Sequence, residues 1–205
     1  MVEGVKILLE LFFLTTLFSI PLGILVALVR VSKNKIARNI TGIYIWIMRG
    51  SPLLLQMMFL YYALPTFNEN LVFDAMPVAI IAFTINYAAY YAEIFRSGLQ
   101  SIDKGQFEAA KVLGFDKFTM YRRIILPQVI KRVLPPVSNE LITLVKDTSL
   151  VSILAMNDLL RMATAATNRD GSLIHFLYVA IIYLAMTAVL TKVMAFVEKK
   201  YSYYN

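Results

Sequence analysis

Long apolar runs alternate along this chain with short polar stretches, and each run is close to the length of a membrane crossing. A hydrocarbon core takes about 20 apolar residues per helix. Five segments meet that length, at about residues 7–29, 40–64, 76–95, 133–156 and 173–197. The expected fold class is therefore an all-α, polytopic membrane protein with five transmembrane helices, forming a single domain over residues 1–205. The first run reads poorly as a signal peptide. It opens on Glu3, Lys6 and Glu10 rather than a basic cluster, and it is too long.

Composition narrows the class further. Of the 205 residues, 59% are hydrophobic and 16% charged, against about 45–50% and about 25% in soluble domains. That surplus of apolar surface excludes both a soluble domain and a disordered chain. The absence of cysteine excludes disulfides, thiol nucleophiles and cysteine-ligated metals. A net charge of +7 would raise the question of nucleic acid in a soluble protein, but here it points to loop placement, and no nucleic-acid partner is expected.

The cations are unevenly shared among the loops. Residues 30–38 carry Arg30, Lys33, Lys35 and Arg38, whereas residues 65–75 carry no cation. The stretch from Arg96 to Arg132 holds eight, and the tail adds Lys192, Lys199 and Lys200. Assigning alternate loops to the cytoplasm places 15 of the 20 cations inside. The expected orientation has the N-terminus outside and the C-terminus cytoplasmic.

The internal loop, about residues 97–132, is too long for a mere connection. Asp103 followed by Gln106 predicts a capping box. A helix then runs from Phe107 to Leu113 and stops at Gly114, a residue suited to a left-handed C′ position. Adjacent Ala109 and Ala110 give this helix a low side. Composition leaves two uses open: a surface against which a partner packs, or an amphipathic helix lying on the bilayer.

The spacing of Glu108, Ala109, Ala110, Gly114, Ile124, Leu126 and Pro127 resembles the EAA loop of bacterial ABC-importer permeases, and every position matches. Arg49-Gly50-Ser51-Pro52-Leu53-Leu54 with Gln56, Tyr61, Tyr62, Leu64 and Pro65 resembles the second span of the polar amino acid subfamily. Tyr91 to Leu99 and Lys146 to Leu150 are similar to its third and fourth spans. The resemblance covers nearly the whole chain and includes histidine, arginine, glutamine and glutamate permeases. It implies a subunit of the prokaryotic cytoplasmic membrane whose coupling residues are Glu108, Ala109, Ala110 and Gly114. It also implies partners: two copies of an ATPase subunit, a second permease copy or close paralogue, and an extracytoplasmic amino-acid-binding protein. No cofactor is expected in this chain, with ATP and Mg on the partner ATPase.

Catalysis by the chain itself finds no support. There is no phosphate-binding G-x-x-x-x-G-K-[ST] segment and no G-x-S-x-G elbow. The single histidine, His175, sits at the outer end of the fifth run, where a helix-end role is the ordinary one. A channel or secondary transporter is the competing class, since both use buried charges and broken helices.

An ionisable group near a span centre costs about 2.5–3.5 kcal/mol on insertion scales, so each needs a partner or a purpose. Arg49, before the helix-weakening Gly50-Ser51-Pro52, is read as snorkelling to the cytoplasmic face. Glu93 and Arg96 are spaced for an ion pair. Glu140, with Thr143, Leu144 and Asp147 along one face, has no basic neighbour in sequence at its depth. Asn86 lies at mid-depth in the third span, where its ordinary role is an interhelical hydrogen bond. Glu140, Asn86, Thr143 and Asp147, with Gln56 and Tyr87, are the candidate substrate contacts. A carboxylate at Glu140 favours a basic L-amino acid such as arginine, lysine or histidine. The alternative pairs Glu140 with Arg49 or Lys146 and leaves glutamine or glutamate as substrate.

Overall fold

The computed structural model describes residues 1–201, with the side chain of Asn70 left aside, and contains only helices and turns among them. Residues 202–205, the end of the expected single domain, lie outside the described residues. Helix α1 spans Val2–Arg30 and α2 spans Lys35–Gly50. The Oδ1 atom of Asn34 starts α2 by accepting from the amides of Ile36 at 3.0 Å and Ala37 at 3.2 Å. After Ser51 and Pro52, α3 (Leu53–Met58) runs through a π turn (Phe59–Ala63) into α4 (Leu64–Phe67). Helix α5 follows at Ala75–Gln100, then α6 at Lys104–Val112 and α7 at Lys117–Met120. A second π turn (Tyr121–Ile125) feeds α8 (Leu126–Asp147), which tightens into a 3-10 segment at Thr148–Leu154. Helices α9 (Leu159–Asp170) and α10 (Ile174–Tyr201) complete the chain.

Helix α5 is the centre of the molecule, and α1 lies along it in the most extensive contact between any two elements. Small residues permit that approach. Ala79, Ala88, Ala89 and Ala92 are fully buried on α5, and a Cβ at Gly23 of α1 would fall 2.6 Å from Tyr91 Cβ. Farther down α5, a Cβ at Gly98 would fall 2.2 Å from Val133 Cγ1 of α8. Without a hydrophobic force between helices in lipid, such close backbone packing supplies the attraction. Helix α10 rests on α8 and α9 at the edge, with Val179 its one buried residue. Leu177, Ile181, Leu184, Val189, Val193 and Phe196 face outward, a surface that suits acyl chains.

Among the described residues, three helices are long and apolar enough to cross a membrane: α1, α5 and α10. Helices α1 and α5 contain the expected first and third spans, α10 covers the fifth from Ile174 onward, and the three run past those spans at Val2, Gln100 and Tyr201 respectively. The second expected span is not one straight rod. It is the pair α2 and α3–α4, bent by 103° at its break, and makes a fourth span if the pair counts as one. The fourth expected span, about 133–156, falls on α8 and its 3-10 extension and is not among the apolar helices. Lys131, Arg132, Glu140, Lys146 and Asp147 dilute α8, which starts seven residues before the expected edge.

The polar connection between α5 and α8 has its own small core. Ile102, Ala110, Met120, Ile125, Val129 and Val133 pack together, fixing α6 to the base of α8. The expected capping box does not form. Asp103 Oδ1 accepts from the amide of Gly105 at 2.7 Å, while the Gln106 side chain turns to Gln128 of α8. The stop at Gly114 does form. Its φ is +74°, its amide reaches Lys111 O at 3.0 Å, and that of Phe115 reaches Ala110 O at 3.0 Å, a Schellman motif. Asp116 then caps α7, and its hydrogen bonds to Thr119 and Phe118 hold its carboxyl below the usual carboxylate range.

Candidate functional site

The break between α2 and α3 begins the site. Pro52 has no amide hydrogen, so the carbonyl of Met48 loses its helical donor. Two side-chain amides replace it. Gln56 Nε2 donates to Met48 O at 3.0 Å and to Ser51 Oγ at 2.8 Å. Asn86 Nδ2, from α5, donates to the same carbonyl at 2.9 Å and to Gln56 Oε1 at 3.0 Å. A buried polar network of this kind holds an irregular backbone only when its members are satisfied. Asn86 therefore has the interhelical role that its depth suggested, and Gln56 serves the bend from the side facing an apolar groove.

In front of the break lies a cavity of about 640 Å³. Its wall is the backbone bend at Gly50, Ser51 and Pro52 on one side, Asn86, Tyr87 and Tyr90 of α5 behind, and Glu140, Thr143 and Asp147 of α8 opposite. The structure thus brings five of the six candidate contacts to one cavity and places Gln56 behind its wall. The spacing of Glu140, Thr143 and Asp147 on one helical face is realised, but Leu144 turns into the core with no exposed surface. Tyr87 donates its hydroxyl to Asp147 Oδ2 at 2.7 Å, which fixes that carboxylate at the junction of α8 and the 3-10 segment.

Arg49 lines the same cavity. Its guanidinium carbon stands 5.2 Å from the centroid of the Tyr90 ring, a cation–π distance. Arg49, Tyr90 and Glu140 also line a second cavity of about 380 Å³, which continues past Glu93, Ser97 and Arg132. The two cavities therefore meet at these three side chains. Glu140 has no ion-pair partner among the described residues, Lys146 included. Sequence reasoning missed Tyr90, although its spacing from Asn86 and Tyr87 puts it on their face of α5. Glu93 and Arg96 form the expected pair, with Arg96 Nε donating at 2.9 Å.

Elsewhere the candidates separate. On α6, Glu108 and Ala109 are exposed, whereas Ala110 is 1% exposed and packs in the small core. The two alanines face different ways. The outward surface around Gly114 is apolar, with Val112, Leu113 and Phe118 strongly exposed. His175 sits in the first turn of α10, with Nε2 3.1 Å from Asp170 Oδ2, a helix-end contact. Among the described residues no group of three His, Asp or Glu side chains could hold a metal ion.

Residues 19–203 match the family described as the inner membrane component of binding-protein-dependent transport systems. The chain belongs to that family. Among curated members, it is 37% identical over 162 residues to a Rickettsia prowazekii protein named as a glutamine transport system permease, covering 79% of this chain and 74% of the relative. It is 36% identical to the L-cystine transport system permease of Bacillus subtilis, covering 98% and 86%. The arginine transport system permease of the same organism is 35% identical, covering 97% and 90%. Among solved structures, an amino acid ABC transporter with histidines superposes with a TM-score of 0.89 at 33% identity, over 97% of this chain and 92% of that one. The chain is thus an inner membrane component, and the bend, cavity and α6 loop are features of a family member.

Proposed function

We propose that this chain is the permease subunit of an ATP-driven, binding-protein-dependent importer of polar L-amino acids, with a basic amino acid as its preferred substrate. One observation carries the substrate: the cavity places two carboxylates, Glu140 and Asp147, against one guanidinium, Arg49. A basic amino acid offers the complement, with two cationic groups and one carboxylate. Glutamine would leave one of the protein's carboxylates uncompensated at a depth where charge is costly. Charge-assisted hydrogen bonds to Glu140 and Asp147 would hold the cations, and Arg49 would take the carboxylate. The relatives are named for glutamine, cystine and arginine, so the choice rests on these three side chains. The glutamine reading has one observation in its favour, since Arg49 shares both cavities with Glu140 and could offset its charge.

In this reading the chain crosses the membrane five times, with the bent pair as the second crossing and α8 with its 3-10 extension as the fourth. The cation-rich loops then face the cytoplasm, the N-terminus lies outside, and a second permease copy or paralogue completes the pathway. Helix α6 would seat in an ATPase subunit, one of two carrying ATP and Mg, through Glu108, Ala109 and the apolar surface beside Gly114. Ala110 would support that contact from inside. An ion-gradient transporter or channel has no such use for α6, and membership of a binding-protein-dependent family favours the importer.

The test is reconstitution of the complete complex. Substrate-stimulated ATP hydrolysis is compared for arginine and glutamine in the wild type and in Glu140→Gln. A preference for arginine that the substitution selectively erodes is the expected result. A wild-type preference for glutamine would overturn the basic-substrate reading, and equal loss for both would reduce Glu140 to a structural residue.

A further inference from the structure

The smaller of the two cavities that meet at Arg49, Tyr90 and Glu140 has a built wall of its own. Its volume, about 380 Å³, is within the range of ligand pockets, about 300–1,000 Å³. From Tyr90 it follows α5 to Ser101, the residue after that helix ends, a length of about 16 Å at the helical rise. Glu93 and Arg132 join the shared Arg49 and Glu140 on its wall, so both signs of charge are present. Glu93 is bonded to Arg96 through both oxygens. Arg132 is anchored at the wall by Nη1, which donates to the Ser101 hydroxyl at 2.8 Å and to the Ser101 carbonyl. Glu140 is therefore the carboxylate of this cavity with no ion pair among the described residues.

Given the substrate class proposed above, on which this rests, we propose that the smaller cavity is a second binding compartment for the transported amino acid, occupied after it leaves the larger one. A simple anion there would face Glu93 and Glu140, and a simple cation would face Arg49 and Arg132. A molecule carrying both charges suits the wall. A charged molecule at membrane depth is penalised wherever its charges lose their partners. The shared side chains prevent that loss, because Glu140 can meet the substrate's cation, and Arg49 its carboxylate, from either cavity. Farther along, Arg132 offers the carboxylate a charge-assisted hydrogen bond. The Tyr90 ring borders both cavities and accepts a guanidinium on its face, as Arg49 shows at 5.2 Å. The compartment leads to the end of α5 from which the chain continues into α6, the cytoplasmic end in the topology proposed above.

The chain has no cysteine, so a thiol placed in either cavity is the only one it carries. Of the two cavities, Ser97 lines only the smaller and Thr143 only the larger. The complete purified complex carrying Ser97→Cys or Thr143→Cys is treated with N-ethylmaleimide, a neutral reagent, with and without arginine. A thiol is shielded while substrate fills its cavity, so arginine at roughly ten times its dissociation constant should slow modification about tenfold. Slowing is expected at both positions. Protection of Thr143→Cys alone would overturn the second compartment and leave the substrate class standing, whereas protection of neither would overturn both. A change of shape transmitted from the larger cavity would instead make both positions respond at one arginine concentration. Arg132→Gln separates these cases, since Arg132 is exposed and lines only the smaller of the two cavities. It should raise the arginine concentration that protects position 97 about tenfold, with that for position 143 unmoved. Arg132→Lys, which keeps the charge, should shift it less. An equal shift at both positions, or none at either, would overturn the compartment.

Discussion

The Tyr87 hydroxyl donates to Asp147 Oδ2 at 2.7 Å, tying the middle of α5 to the last residue of α8. The bond crosses the back of the cavity, so it orients a carboxylate proposed to meet substrate. Hydrogen bonds to a charged group contribute about 1.5–3 kcal/mol. Tyr87→Phe should therefore raise the half-saturating arginine concentration for stimulated ATP hydrolysis about tenfold, with the complex still assembled. An unchanged half-saturation would show that Asp147 is held without Tyr87 or does not meet substrate.

The amide of Asn86 and the ring of Pro52 are coupled through one carbonyl, that of Met48. Asn86→Ala should lower thermal stability in detergent by about 1–3 kcal/mol, because Gln56 Oε1 loses its donor and the Met48 carbonyl keeps only Gln56 Nε2. In a Pro52→Ala background the restored amide can serve Met48, so the same change should cost less. Strict additivity of the two substitutions would refute the shared-carbonyl account.

Two glycines on the α5 interfaces should respond differently to alanine. At Gly98 the new methyl meets the side chain of Val133 at 2.2 Å, and Val133→Ala should restore most of the stability lost. At Gly23 it meets Tyr91 Cβ at 2.6 Å and Ala88 O at 3.0 Å. Those atoms cannot step aside without moving the helix, so Gly23→Ala should cost about 1–3 kcal/mol with no single-residue rescue. Thermal unfolding of both variants and the Gly98–Val133 pair measures this.

Gly114 meets nothing within 4 Å where a Cβ would stand, so its substitution tests backbone conformation alone. At φ +74° a β-branched residue is strained by about 1–2 kcal/mol. Gly114→Val should open the end of α6 while leaving membrane insertion intact. Co-purification with the ATPase, or substrate-linked hydrolysis, should fall. A variant with normal assembly and coupling would separate Gly114 from the proposed motor contact.

Local chemistry made much of this protein readable from its sequence alone. Apolar runs of bilayer length announced α1, α5 and α10, because lipid demands an apolar exterior and internally bonded backbone. Gly114 marked the end of α6, Gly50-Ser51-Pro52 marked the break, and the spacing of Glu93 and Arg96 marked their pair. Each of those signals depends on neighbours within one helical turn. What depended on a partner from elsewhere in the chain was decided by packing. Asn86 and Gln56 serve the Met48 carbonyl because the α2–α3 bend brings it to them. Arg49 reaches the cavity beside Tyr90 and Glu140 because that bend aims it there. Gln106 left its capping box for Gln128, and Ala109 and Ala110 were sent to opposite surfaces, because α6 docks against α8. Periodicity states which residues share a face; only the docking of one helix on another determines what that face meets.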